Sequence, residues 1–334
     1  MEYVYDIGID GGGTKTEAVL MTSEGEVLSR ATDSATNPND VGVDVSVARM
    51  KNLIDALLFA TGISPMNVHL FAGISGALNH RDALIDTMQE QLPTMKGMEV
   101  GSDMVNLMYA ELPMGDGACV ICGTGSVCFL RSEDTLYRIG GWGYLLDSAG
   151  SGYDIGRMAL EYALKAHDGR GNSTILTDLL TTHLGQPVQD ALTDIYAQGK
   201  AYIASCAPVV FKAARMEDSV AEDILNQNAK ALAEMIDTAC QKRDMLGRPT
   251  DTPLPVALGG GINQKETPAW TERIQRFLKD PQRVSLMVAN TPMVVGAVMK
   301  AYTNHHPHIS PDDYMAHTAK VKQGYHAYMQ STSP

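Results

Sequence analysis

Three clusters of glycine stand where runs of apolar residues end, and they constrain the fold more than any other feature of the chain. The first is Asp10-Gly11-Gly12-Gly13-Thr14-Lys15-Thr16. Residues 3–10 alternate as a strand, residues 16–21 read as a second and residues 27–31 as a third, so the glycines turn a hairpin in an antiparallel meander. Glycine lets the backbone turn sharply and come close to a ligand. Successive amides in such a turn form a concavity for an anion, to which Thr14 adds a hydroxyl donor. Asp10, at the strand end, is placed to hold a Mg²⁺ ion through water, because Mg²⁺ keeps most of its hydration shell. An ordinary glycine-rich hairpin is the alternative reading. A P-loop is excluded, since Thr14 separates Gly13 from Lys15. A dinucleotide fingerprint is excluded as well, since a strand rather than a helix follows the turn.

The second cluster, Gly123-Thr124-Gly125-Ser126, again lies between strands, at 118–122 and 127–130. The third, Gly259-Gly260-Gly261, follows a buried strand at 255–258. Singly, these read as a hairpin turn and a strand-to-helix turn. Together they suggest two duplicated phosphate-gripping lobes.

Elsewhere helix and strand alternate. Val43, Val47, Met50, Ile54, Leu57 and Leu58 recur at helical spacing. A strand at 68–74, a helix at 81–91, a short strand at 98–100 and a helix from about 105 follow. Helices are expected at 153–167, 174–183 and 219–243, the last with Ile224, Leu225, Leu232, Met235 and Ile236 on one face. A helix from 268, a strand at 283–288, a helix from Pro292 and a tail helix from Asp312 complete the pattern. The class is α/β, and 334 residues favour two domains.

Composition narrows the partners. The net charge is −13, and no run of lysine or arginine offers a basic face, so nucleic acid is not expected. No stretch approaches the eighteen or so apolar residues of a membrane span. The first residues carry no basic region or cleavage site of an export signal, so a cytoplasmic protein is expected. Five cysteines are an odd number in a long chain and do not suggest a disulfide framework. Cys119 and Cys122, three apart in a strand, point to opposite faces and read as buried thiols rather than metal ligands.

The order of these motifs, with Gly140-Gly141-Trp142-Gly143 and Gly150-Ser151-Gly152-Tyr153 between the second and third, resembles the N-acetylglucosamine kinase family. That family is grouped with the BadF-type ATPases in the sugar kinase/Hsp70/actin superfold. The resemblance runs from Ile7 to about Tyr302. It implies a two-domain actin-like ATPase fold of ribonuclease H-like type with an interdomain cleft. The expected first domain is 1–115, rejoined by 306–334, and the second is 116–305. A homodimer with ATP, Mg²⁺ and a small-molecule amino sugar is also implied.

By the same resemblance, Gly12, Gly13, Thr14, Lys15 and Thr16 from one domain and Gly123, Thr124, Gly125 and Ser126 from the other bind the phosphates. Gly260, Gly261 and a helix passing Ala229 hold adenosine. Asp103 becomes the general base, although its place in Gly101-Ser102-Asp103 also suits a helix N-cap before Met104. Asn37, Ser75, Gly76, Gly141 and Trp142 match sugar-binding positions. Asn37 before a proline equally suits a turn, and Trp142 equally suits a core.

One departure stands out. Where the family has Gly-Asp-Glu-Gly-Ser, this chain has Leu146-Asp147-Ser148-Ala149-Gly150-Ser151, with Asp147 one residue early and Ser148 in the aspartate column. N-acetylglucosamine is the expected substrate, with glucosamine and N-acetylmuramic acid as alternatives. A BadF-type ATPase activator of a dehydratase is the alternative of another class.

Overall fold

The computed structural model describes residues 4–133, 135–248 and 251–332. The chain divides into two compact units, residues 1–114 with 290–334, and residues 115–289.

In the first unit, β1 (Tyr5–Gly11), β2 (Lys15–Thr22) and β3 (Val27–Ser34) form an antiparallel meander. α1 (Pro38–Val41) and α2 (Val43–Thr61) lead to β4 (Val68–Ile74), which runs parallel to β1. α3 (Arg81–Gln91) leads to β5 (Gly97–Gly101), parallel to β4, and α4 (Asp103–Glu111) follows. The sheet order is β3-β2-β1-β4-β5. Ile7 and Ile9 of β1 pack with Met50, Ile54 and Leu57 of α2 and with Leu70 and Ala72 of β4. Each large apolar side chain buried in this way contributes about 1.5–3 kcal/mol.

The second unit repeats the plan. β6 (Gly117–Cys122), β7 (Ser126–Ser132) and β8 (Thr135–Ile139) make its meander. The helices α5 (Gly152–His167), α6 (Leu176–Leu184), α7 (Leu192–Ala204), α8 (Ala207–Arg215) and α9 (Ser219–Met245) come next. β9 (Leu254–Gly259) lies parallel to β6. After α10 (Gly261–Lys265) and α11 (Ala269–Phe277), β10 (Val284–Val288) lies parallel to β9. The sheet order is β10-β9-β6-β7-β8. Asp218 caps α9, its carboxylate accepting from the Ala221 amide at 2.8 Å. All five cysteines belong to this unit, reduced and buried.

α12 (Met293–His305) and α13 (Pro311–Ser331) return to the first unit. The chain therefore rejoins that unit at Asn290, not at residue 306 as the sequence suggests. Gly8 supplies the reason. A Cβ there would lie 2.4 Å from the Val298 amide nitrogen, so α12 sits directly on β1. Val295, Val298 and Met299 close over Val19 and Met21 on that side of the sheet. α13 is then pinned by Tyr325, whose hydroxyl donates to Glu17 Oε1 at 2.6 Å, while Arg30 donates to the same oxygen at 2.7 Å.

Candidate active site

In the first unit the turn between β1 and β2 is tied down from two sides. The Gly12 carbonyl accepts from the Thr36 amide at 3.0 Å and the Asn37 amide at 3.3 Å, and the Gly11 carbonyl accepts from the Ser75 amide at 2.8 Å. Gly13, Thr14 and Lys15 are left exposed at the tip. Thr16 departs from expectation. Its side chain is buried, donates to the Ser34 carbonyl at 2.8 Å and lies 2.9 Å from the Thr36 hydroxyl, so it braces the hairpin from within.

The same contacts gather Asn37, Ser75 and Gly76. Asn37 caps α1, its Oδ1 accepting from the Asn39 amide at 3.0 Å, so its reading as a local turn residue is realised. Gly76, at φ 79°, faces it closely. A Cβ there would lie 2.3 Å from both Asn37 Oδ1 and Asn39 Nδ2.

Asp103 is the first residue of α4. The cap is Ser102, whose Oγ accepts from the Met104 amide at 3.2 Å; Asp103 does not itself serve as the N-cap. Its carboxylate is hydrogen-bonded by the hydroxyls of Ser102, at 3.0 Å, and Ser75. Burial holds its pKa above the ordinary carboxylate value despite those hydrogen bonds. Burial likewise pushes Asp10 up to about 6, against a hydrogen bond from Asn106. That bond, from Asn106 Nδ2 to Asp10 Oδ1, measures 2.8 Å.

In the second unit the turn of residues 123–126 is anchored on the start of α5. The Gly152 amide donates to the Gly123 carbonyl at 2.7 Å and the Tyr153 amide to the Thr124 carbonyl at 3.3 Å. Ser126 does not face the turn's opening. It is buried, and its hydroxyl donates to the Ala149 carbonyl at 2.7 Å. Gly260, at φ 93°, packs on the end of β6, where a Cβ would meet the Cys122 carbonyl at 2.5 Å. Gly123, Thr124, Gly152 and Gly261 thus border one cavity of about 360 Å³. Ala204, Pro208, Phe211 and Ile262 make its apolar wall, with Ser205, Lys265 and Glu266 also lining it. Both size and lining suit a small organic ligand. Ala229 is not part of it. With Leu225, Leu232 and Ala233 it lies on the buried face of α9, fully enclosed in the core.

The loop after β8 carries the remaining residues. Gly141, at φ 71°, packs on β7, where a Cβ would lie 2.6 Å from the Ser126 carbonyl. Trp142 is 64% exposed and therefore not a core residue; the Arg138 guanidinium stacks 4.5 Å from its ring centre. Asp147 Oδ2 accepts from the Trp142 amide at 3.4 Å, and Ser148 Oγ lies 3.5 Å from Asp154 Oδ1. The Asp147 carboxylate is thus turned toward its own loop.

Two structural asparagines escaped the sequence reading. Asn228 accepts from the Gly150 amide at 2.8 Å and donates to the Ile224 carbonyl at 3.0 Å, fixing the loop beneath residues 123–126. Asn106 holds Asp10. Both lie on the apolar stripe of a helix, where a polar residue is itself the signal that could have found them.

Two mixed sheets of one topology, each with a glycine turn between its first two strands, define an actin-like ATPase fold. The chain belongs to the BadF/BadG/BcrA/BcrD ATPase family, which matches residues 7–301. It is 31% identical to an N-acetyl-D-glucosamine kinase of Dictyostelium discoideum, over 78% of this chain and 86% of that protein. It is 35% identical to an N-acetylmuramic acid/N-acetylglucosamine kinase of Clostridium acetobutylicum, over 70% of this chain and 77% of that protein. A solved Chromobacterium violaceum structure matches with a TM-score of 0.68 at 25% identity, covering 90% of this chain and all of that one, 100%. A ROK family glucokinase of Streptomyces griseus, solved with glucose and AMPPNP, shares the fold at a TM-score of 0.52 and 19% identity, over 88% and 98% of the two chains.

Proposed function

We propose that the protein is an ATP-dependent amino-sugar kinase that phosphorylates N-acetylglucosamine on its 6-hydroxyl. The observation that carries this reading is the second unit's cavity, where a glycine turn and an apolar wall border one space. Such a space suits a nucleoside with its phosphates led toward backbone amides. The kinases among the relatives support the acceptor.

In the first unit, the exposed turn of Gly12, Gly13, Thr14 and Lys15 offers amides, a hydroxyl and an ammonium to phosphate oxygens. Asp103 accepts the proton of the attacking sugar hydroxyl. Its raised pKa suits this role, because a base works best when its affinity for protons is not too low. Asn37, Ser75 and Gly76 are the sugar contacts proposed on the first unit, and Gly141 and Trp142 those proposed on the second. An indole face suits a pyranose ring, and an amide pairs with hydroxyls.

Asp10 fits a hydrated Mg²⁺ ion. Its Oδ1 is held by Asn106, and burial leaves its charge poorly compensated. When bound, Mg²⁺ would neutralise charge on the transferring phosphates.

A dehydratase activator needs cysteines that reach a shared iron–sulfur cluster. Here all five are buried in the second unit, which favours the kinase reading. We include a cytoplasmic homodimer in the proposal, which light scattering checks as to assembly. The decisive assay is coupled ADP release across a panel of amino sugars. Stimulation by N-acetylglucosamine is expected, and a rate that no sugar raises would end the kinase reading. The double change Ser148→Asp with Ala149→Glu is expected to alter the ranking of N-acetylglucosamine against N-acetylmuramic acid.

A further inference from the structure

Asn106 occupies a place that packing alone does not explain. It is fully buried on α4, among Met104, Leu107 and Met108, where an apolar residue would ordinarily sit. Its Nδ2 donates to Asp10 Oδ1 at 2.8 Å and to the Gly73 carbonyl at 3.1 Å. Its Oδ1 is buried with no partner among the described residues, which costs stability. Two glycines admit it. A Cβ at Gly73 would fall 1.9 Å from Asn106 Oδ1, and one at Gly296 of α12 would fall 1.8 Å from the Asn106 carbonyl oxygen. Three elements thus converge on a residue whose amide reaches the end of β1. Asp103 stands three positions earlier on the same helix.

We propose that Asn106 is a positioning residue: it fixes the Asp10 carboxylate by holding Oδ1, so that Oδ2 is presented in one orientation and at a set place relative to Asp103. The inference rests on the phosphotransfer reading above. It concerns how Asp10 is aimed, not which group performs the chemistry. Nδ2 must face the carboxylate, since the opposite amide orientation would set Oδ1 against another acceptor. The unpartnered Oδ1 is the accompanying cost. Residues that sacrifice stability in a core are characteristic of functional sites.

Two variants test the idea, with two readouts. Asn106→Leu keeps the branching at Cγ and removes the donor, and Asn106→Asp sets a second carboxylate against Asp10. Both are expected to lower kcat at least tenfold, with the sugar KM within about twofold of the parent. The gain in ADP affinity that added Mg²⁺ produces, read by titration calorimetry, is expected to shrink at least fivefold, while ADP affinity without Mg²⁺ stays unchanged. A merely structural role would lower the melting temperature and leave both ratios alone. The exchange Asp10→Asn with Asn106→Asp restores an amide–carboxylate bond with the roles reversed. It is expected to regain the melting temperature but not kcat, and it keeps the test open should Asn106→Asp fold poorly.

Three results would overturn the proposal. One is a folded Asn106→Leu protein with normal kcat and a normal Mg²⁺-dependent gain. Another is a change confined to the sugar KM, and the last is an exchanged pair with full kcat. Should the parent protein turn over no sugar while the Mg²⁺-dependent gain still collapses in the variants, the kinase reading fails and the positioning role stands.

Discussion

The two units are built to one plan and equipped differently. Each has an antiparallel meander followed by two parallel strands, and a turn after the first strand. In the first unit β1–β2 pairing ends at Gly11 and Thr16; in the second β6–β7 pairing ends at Cys122 and Ser126. One residue earlier, the first unit places Asp10 and the second places Ile121. The first unit surrounds its turn with carboxylates and their donors, Asp103, Ser75 and Asn106. The second surrounds its turn with an apolar wall and a cavity. One scaffold thus carries a cluster of carboxylates and their donors in one copy and an apolar-walled cavity in the other, which under the proposed function divides charge handling from nucleoside recognition.

Breaking that division should give different symptoms on the two sides. Asp103→Asn keeps the shape and removes the carboxylate proposed as the base. It is expected to lower kcat by about 10²–10⁴-fold. ADP affinity, measured by titration calorimetry, should remain within about threefold. A loss of ADP binding of similar size would instead place Asp103 in nucleotide recognition.

On the other side, Ala204→Phe fills the cavity wall. The expected effect is a KM for ATP raised about tenfold, a one-residue perturbation of about 1.4 kcal/mol in binding. The sugar KM should hardly move. If both constants rise together, the cavity does not serve the nucleotide alone.

A pH series sharpens the contrast in stability. The pKa of Asp10 rises on folding from 3.8 to about 6. Between those values the folded state holds a proton that the unfolded state has released. Stability therefore falls as pH climbs through this window, and the full cost is present above about 6. Asp10→Asn is expected to raise the melting temperature at pH 7.5 by about 4 °C and to have little effect at pH 4. A gain that persists at pH 4 would mean that burial of the charge is not the cause. The smallest effect is expected from Tyr325→Phe, about 1 kcal/mol in urea unfolding, because Glu17 keeps its bond to Arg30.

Much of this was legible in the sequence because the glycine turns sit between strands of clear alternation. β1, β2, β4, α3 and β9 fall close to where pattern alone puts them. Less visible was β8, an edge strand in which Thr135 and Arg138 are exposed and no buried alternation announces it. α7 was hidden by a non-helical Gly199 at φ 65° inside it. The hydroxyls of Thr16 and Ser126 look like phosphate donors in a motif, but strand register turns both inward. Ala229 failed for a related reason: sequence position names a helix, and helical phase decides which face meets the ligand. Cap identity at α4 hinged on a single residue, since Ser102 and Asp103 are both good caps and only geometry chooses between them.

The return of α12 and α13 to the first unit has a bearing on how the chain is made. A ribosome that has released residues 1–289 has delivered the whole of the second unit but not of the first. Until the last segment follows, Val19, Met21 and the bare backbone at Gly8 lack the helices that cover them in the finished protein. Newly made chains must pass through a stage with this apolar sheet face open, and such faces are where nascent proteins aggregate or recruit chaperones.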